Sequence, residues 1–135
     1  MVCGDQSYID NIVKVKSNMD SGMFYGLQKG AIQALSSGDM WFSSLASVYE
    51  ERRQLIWELA EFLDCTFDKY SSGLFVWAKL PIDAVRSETF IDDILDTKGV
   101  FITPGSIFGS QGEGYIRFSL CVPVEKIEEA IERFK

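Results

Sequence analysis

An arginine stands inside an otherwise apolar, strand-like run, Tyr115-Ile116-Arg117-Phe118-Ser119-Leu120, directly after a segment with glycines at 105, 109, 112 and 114. A guanidinium is costly to bury without an anion. Arg117 therefore either lies on the solvated face of a sheet or clamps a carboxylate with the two parallel N–H donors of its planar fork. The rest of the chain narrows the chemistry. With no histidine it cannot supply a Ser-His or Cys-His pair, nor a histidine-bearing zinc site. Cys3, Cys65 and Cys121 are scattered, form no CxxC pair and make a poor metal site. No catalytic role is expected of them. The acidic residues form no convincing pair, and Asp92-Asp93 reads as a solvated helix face. The glycine-rich segment lacks a Walker lysine and opens no helix, so a nucleotide loop is a weak reading. It reads better as a loop that must approach a substrate or cofactor closely.

The elements that must position Arg117 follow from periodicity. Asp5 can cap a helix to Val15, with Tyr8, Ile9, Ile12 and Val13 on one face. Lys16 to Gly22 reads as a loop. Asp20 or Ser21 can cap a second helix carrying Met23, Phe24, Leu27, Ala31, Ala34 and Leu35 and ending at Gly38. A long third helix runs from Asp39 to about Asp64, with Leu45, Val48, Tyr49, Leu55, Ile56, Leu59 and Leu63 inward. Its Glu50, Glu51, Arg53, Glu58 and Glu61 are placed outward. Cys65–Tyr70 and Leu74–Leu80 then form a hairpin about Ser71-Ser72-Gly73, and Pro81 stops the second strand. A helix from Ser87 to Gly99, a strand from Val100 to Thr103, the glycine-rich loop, the Arg117 strand and a helix with Pro123 in its first turn complete the chain. The order α-β-β-α-β-β-α predicts an α+β fold, a small sheet with helices gathered on one side. Residues 1–38 stand outside it. Their helices have no sheet to cover, so their apolar faces need a partner that this chain does not supply. Residues 39–135 form the sheet-containing domain.

Composition sets the outer bounds. A chain of 135 residues that is 47% apolar can bury a real core, which argues against disorder. A net charge of −7, with both signs interleaved, opposes binding to nucleic acid or to an anionic membrane. No leader and no apolar run of about 18 residues is visible, and scattered thiols suit a reducing compartment, so the cytoplasm is expected.

Three segments in register carry a family resemblance. Pro104-Gly105-Ser106-Ile107-Phe108-Gly109 followed by Gly112 to Leu120 resembles the C-terminal signature of the class I aminotransferases, whose matching arginine binds the substrate α-carboxylate. Lys16 to Phe24 resembles the family's loop and helix start before the interdomain helix. Ser72 to Pro81 resembles its small-domain hairpin. Glu51-Arg52-Arg53 is similar to a family string, although a solvated helix face explains it as well.

The resemblance spans essentially the whole chain and implies the substrate-binding C-terminal part of a pyridoxal-phosphate enzyme of the aspartate-aminotransferase superfamily. It is nearest in pattern to bacterial aspartate or LL-diaminopimelate aminotransferases. Residues 1–38 would be a remnant of the large cofactor-binding domain and the start of the interdomain helix, and 39–135 the small domain. Arg117 would hold the carboxylate of an α-amino acid or 2-oxo acid. Gly73 and Phe75 match the hairpin edge at the mouth of the substrate pocket, although alternation through Val76, Trp77 and Ala78 favours plain core for Phe75. Ser17 and Asn18 match a loop that reaches the neighbouring active site of a homodimer, with an ordinary polar turn as the plainer alternative.

The family's Schiff-base lysine lies in a Ser-x-Ser-Lys motif, followed by an arginine that helps hold the cofactor phosphate. None of the chain's eight lysines has that context. Met1 to Ile12 resembles the stretch just past that arginine, so the resemblance implies a chain that starts beyond the cofactor site. No cofactor bound to this chain alone and no catalysis by it alone are then expected. The alternative is a self-contained α+β module that binds a small carboxylate without chemistry. Another fold-type I pyridoxal activity, a lyase or decarboxylase, would share the same small domain.

Overall fold

Asp5 caps the first helix as its position predicts, its carboxylate accepting the backbone N–H of Ser7 at 2.9 Å. The computed structural model describes residues 2–82 and 86–135, so Met1 of the apolar start lies outside the described residues. Helix α1 (Gln6–Met19) runs four residues past the expected end. Nothing between Lys16 and Met19 breaks a helix. The Ser17 and Asn18 side chains bond back to the Lys14 carbonyl at 3.1 and 2.6 Å, and Lys16 pairs with Asp20 one turn on. The expected loop is thus confined to Asp20–Phe24. Helix α2 (Tyr25–Leu35) follows with Phe24 at its N-cap, where neither Asp20 nor Ser21 reaches. Neither α1 nor α2 buries a residue, and Ile12, Phe24, Leu27, Ile32 and Leu35 are exposed.

The chain divides into two compact units, Met1–Phe42 and Ser43–Lys135, the division falling within α3 (Asp39–Phe62). All of the buried core lies in the second. Four strands, β1 (Thr66–Phe67), β2 (Phe75–Lys79), β3 (Thr103–Pro104) and β4 (Tyr115–Ser119), form an antiparallel sheet in the order β1-β2-β4-β3. The fold is α+β, as the element order predicts.

Alternation decides which face is core. Val76 and Ala78 of β2 and Ile116 of β4 are 0% exposed, and Phe118 is buried with them. Against this face pack Ile56, Leu59 and Ala60 of α3, Ile91 and Ile94 of α4 (Ser87–Lys98), and Ile127 and Ile131 of α5 (Val124–Glu132). Each such isoleucine or leucine contributes about 1.5–3 kcal/mol through burial. Gly99 ends α4 in the left-handed region at φ 64°, the conformation glycine tolerates best. Pro123 is the N-cap of α5, one position before the expected first turn.

Several expectations shift. Leu45 and Val48 of α3, placed inward by their spacing, are exposed. Pairing on β3 starts at Thr103 rather than Val100, and the rest of the loop is held by two 3₁₀ turns, Gly105–Phe108 and Ser110–Gly112. Arg53, expected in water, is only 8% exposed and lies on the inward face of α3.

Candidate functional site

The face of the sheet opposite the helices carries Phe75, Trp77 and Lys79 from β2 and Tyr115, Arg117 and Ser119 from β4. The register sets Trp77 directly across from Arg117, Phe75 across from Ser119 and Thr103 across from Arg117 on the other side. Phe75 is therefore one diagonal step from Arg117, within reach of a long side chain. It is 38% exposed and not core, contrary to the reading that alternation favoured: Val76 and Ala78 take the buried positions and turn Phe75 outward.

The Arg117 guanidinium carbon lies 4.1 Å from the ring centroid of Phe75 and 4.1 Å from that of Phe108. Trp77 meets Phe108 and Tyr115 edge-on at 5.4 and 6.5 Å, whereas Phe75 and Phe108 make no ring contact with each other. Both rings thus lie within stacking distance of the guanidinium. Among the described residues no carboxylate pairs with Arg117. The result is a half-buried cation flanked by two rings, with no carboxylate partner among the described residues. Sequence reasoning missed Phe108, because a loop has no periodicity to reveal it. An aromatic next to Gly109 was the only local sign.

The hairpin that presents Phe75 is anchored from α3. Arg53 donates to the carbonyls of Ser71 at 3.2 Å and Gly73 at 2.6 Å, and Arg52 donates to that of Leu120 at 3.0 Å. Gly73 thus serves the turn, with φ at 100°. The signal for Arg53 was present: it stands three and seven residues before the buried Ile56 and Ala60, on the same helical face.

The glycine-rich segment makes its close approach to itself. A Cβ on Gly105 would meet the Gly112 carbonyl oxygen at 2.2 Å, and one on Gly112 the Gly105 oxygen at 2.0 Å. Gly105 and Gly112 thus make room for each other's backbone, while a Cβ on Gly109 or Gly114 would meet nothing within 4 Å. Glu113 fastens the same loop to α4, accepting the backbone N–H of Ser87 at 2.7 Å and of Gly114 at 3.2 Å. These donors, Ser87 first, hold its carboxyl below the usual glutamate range, although desolvation opposes them.

Other groups are already committed. A cleft of about 420 Å³ beside β3, lined by Ile56, Leu59, Phe101, Ile127 and Ala130, carries Lys126, Glu129 and Arg133. Arg117 also lines this cleft, and Glu129 pairs with both Lys126 and Arg133, at 2.7 and 2.6 Å. Burial, aided by the Asp64 charge, pushes the Cys65 thiol up to about 11, so it stays protonated and unreactive. No group of residues that could hold a metal occurs among the described residues. Ser17 and Asn18 are exposed in the last turn of α1. The lysines do not fit a Schiff base with pyridoxal phosphate. Lys16, Lys69, Lys126 and Lys135 pair with carboxylates on exposed surface, and Lys29 and Lys98 lie over Tyr25 and Phe134. None is desolvated in a cavity, as an activated lysine must be.

A small antiparallel sheet backed by helices, with an arginine on its open face beside a glycine-rich loop, defines a class that comparison makes definite. Residues 1–134 match the family Aminotransferase class I and II, and the chain belongs to that family. It is 36% identical over 133 residues to the LL-diaminopimelate aminotransferase of Maridesulfovibrio salexigens, covering 98% of this chain and 34% of the relative. It is 38% identical to the enzyme of the same name from Oleidesulfovibrio alaskensis, over the same shares of each chain. The solved aminotransferase of Staphylococcus aureus superposes with a TM-score of 0.78 at 30% identity, over 96% of this chain and 34% of that one. The chain thus spans about a third of the length of the curated relatives it matches. No helix among the described residues is long and apolar enough to cross a membrane.

Proposed function

We propose that this chain is the substrate-gripping portion of a pyridoxal-phosphate-dependent aminotransferase, which moves an amino group between an α-amino acid and a 2-oxo acid. The observation that carries this reading is Arg117, a half-buried guanidinium without a carboxylate partner among the described residues, held on an open sheet face in a chain of this family. Its free edge can donate two parallel charge-assisted hydrogen bonds to the substrate α-carboxylate. That contact orients the substrate; none of this chain's lysines stands in the family's Schiff-base context. Pyridoxal phosphate, when bound, supplies the electron sink for the amino-group chemistry. Its site is assigned to the part of the enzyme that these residues do not cover, and the chain alone is inactive. Residues 1–38 go with the large domain and 39–135 with the small one, Gly73 lies at the pocket mouth, and Ser17 and Asn18 face the second subunit of a homodimer. Relatives named for LL-diaminopimelate support an amino acid with a second carboxylate as substrate.

In the complete enzyme, Arg117→Lys is expected to lower kcat/KM about a hundredfold, since a desolvated bidentate contact contributes roughly 1.5–3 kcal/mol or more. An unchanged kcat/KM removes Arg117 from the site. The second unit's self-sufficient core favours one other reading, a stand-alone carboxylate-binding module. It requires residues 1–38 to be dispensable to a soluble monomer.

A further inference from the structure

The Arg117 guanidinium carbon lies 4.1 Å from two ring centroids at once, that of Phe75 from β2 and that of Phe108 from the 3₁₀ turn Gly105–Phe108. The two rings come from elements 33 positions apart in sequence, so their convergence is a product of the fold. Neither ring serves the core: Phe75 is 38% exposed and Phe108 47%. Trp77, across the strand from Arg117, buttresses Phe108 edge-on at 5.4 Å. A cation stacked between two aromatic faces is attracted to both, which fixes its plane.

We propose that Phe108 and Phe75 cover the two faces of the Arg117 guanidinium as the jaws of a clamp that orients it and restricts its ligand to planar carboxylates, with Phe108 as a positioning residue. This rests on the reading of Arg117 as an anion site. With its faces closed, the guanidinium can be approached only within its own plane. A carboxylate continues that plane and slides between the rings. A tetrahedral sulfonate or phosphonate projects an oxygen out of the plane, toward the negative face of one ring or the other. The clamp therefore selects by shape between anions of equal charge.

The test uses the complete enzyme labelled with ¹⁵N-arginine, its Arg117 Nε–H resonance assigned by loss in Arg117→Lys. Acetate and methanesulfonate, both monoanions, are the probes. In the native chain the Arg117 Nε–H is expected upfield of the other arginines through the ring currents of both phenyls, and acetate is expected to bind more tightly than methanesulfonate. Phe108→Leu should relieve much of the upfield shift and narrow the acetate preference about three- to tenfold, the loss of one stacking partner. Phe108→Tyr, which keeps the ring, should retain both. Because Phe108 lies outside the core, neither substitution disturbs folding. An upfield shift and a preference that survive Phe108→Leu overturn the clamp. If acetate leaves the native Arg117 resonance unmoved, the carboxylate reading falls and the selectivity with it, while the ring-current shift and its loss in Phe108→Leu still decide whether the rings hold the guanidinium.

Discussion

Arg53 and Arg117 are both arginines among apolar neighbours, yet they do opposite things. Arg53 spends its donors on the carbonyls of Ser71 and Gly73, and removing it strands both. Arg53→Met is expected to destabilise the chain by about 2–4 kcal/mol, because each stranded group costs about 1–3 kcal/mol to leave unpaired. Arg117 bonds to no carboxylate among the described residues, so Arg117→Met should leave the urea midpoint nearly unchanged, within about 1 kcal/mol for its two ring contacts. Parallel urea denaturation of the two variants checks the contrast. A large loss in Arg117→Met would make it a structural arginine. The sequence alone marked Arg117, because a charge in an apolar strand stands out. For Arg53 the spacing to Ile56 and Ala60 was a signal, but it was outweighed because on a helix a charge next to another charge reads as surface, and only the hairpin turn that accepts its donors permits burial.

At the scale of elements, the loop between β3 and β4 places Phe108 and is held by two contacts that the sequence showed only as composition. One is the crossing of Gly105 with Gly112, where any Cβ meets backbone. Gly105→Ala or Gly112→Ala is expected to destabilise the chain by about 1–3 kcal/mol or more through forced backbone shifts. Gly114→Ala, with open space and φ 79°, should cost only about 1–2 kcal/mol of left-handed strain. Thermal denaturation of the three variants ranks them. The other contact is Glu113 on the N-terminus of α4. Its carboxyl is held below its ordinary value, so the stability it contributes is present above the unfolded value of about 4.3 and is lost as pH falls through the lower folded one. Glu113→Gln should therefore be less stable than the native chain near neutral pH, with the difference vanishing in acid. A pH-independent difference would mean that charge plays no part. Helices were legible from apolar spacing, and their buried faces in part: Ile91 and Ile94 of α4 and Ile127 and Ile131 of α5 are buried, whereas Leu95 of α4 and Leu45 and Val48 of α3 are exposed. Boundaries were not legible. The end of α1 was missed because Ser17 and Asn18, normally loop residues, here return their side chains to the Lys14 carbonyl.

For the whole molecule, the uneven distribution of core is the main fact. Every residue of the hydrophobic cluster lies between Ile56 and Ile131, while α1 and α2 leave Ile12, Phe24, Leu27 and Leu35 exposed. Apolar faces of that extent associate or aggregate in water. The isolated chain is expected to scatter light as an oligomer or aggregate and to lose its first 42 or so residues first under limited proteolysis, the boundary between its compact units. A monomer resistant throughout would favour the stand-alone module. The α+β class and the family were legible in the element order and in three short motifs. The aromatic clamp was not, since it joins residues from a strand and a loop that no local pattern connects. The central claim is that Arg117 holds the substrate carboxylate, and the most direct test removes the carboxylate rather than only the arginine. In the complete enzyme, kcat/KM is measured for an amino-acid substrate and for the amine that lacks only its α-carboxylate, with native Arg117 and with Arg117→Ala. The account predicts a loss of about a hundredfold or more for the amino acid and almost none for the amine. Equal losses for both substrates would contradict it.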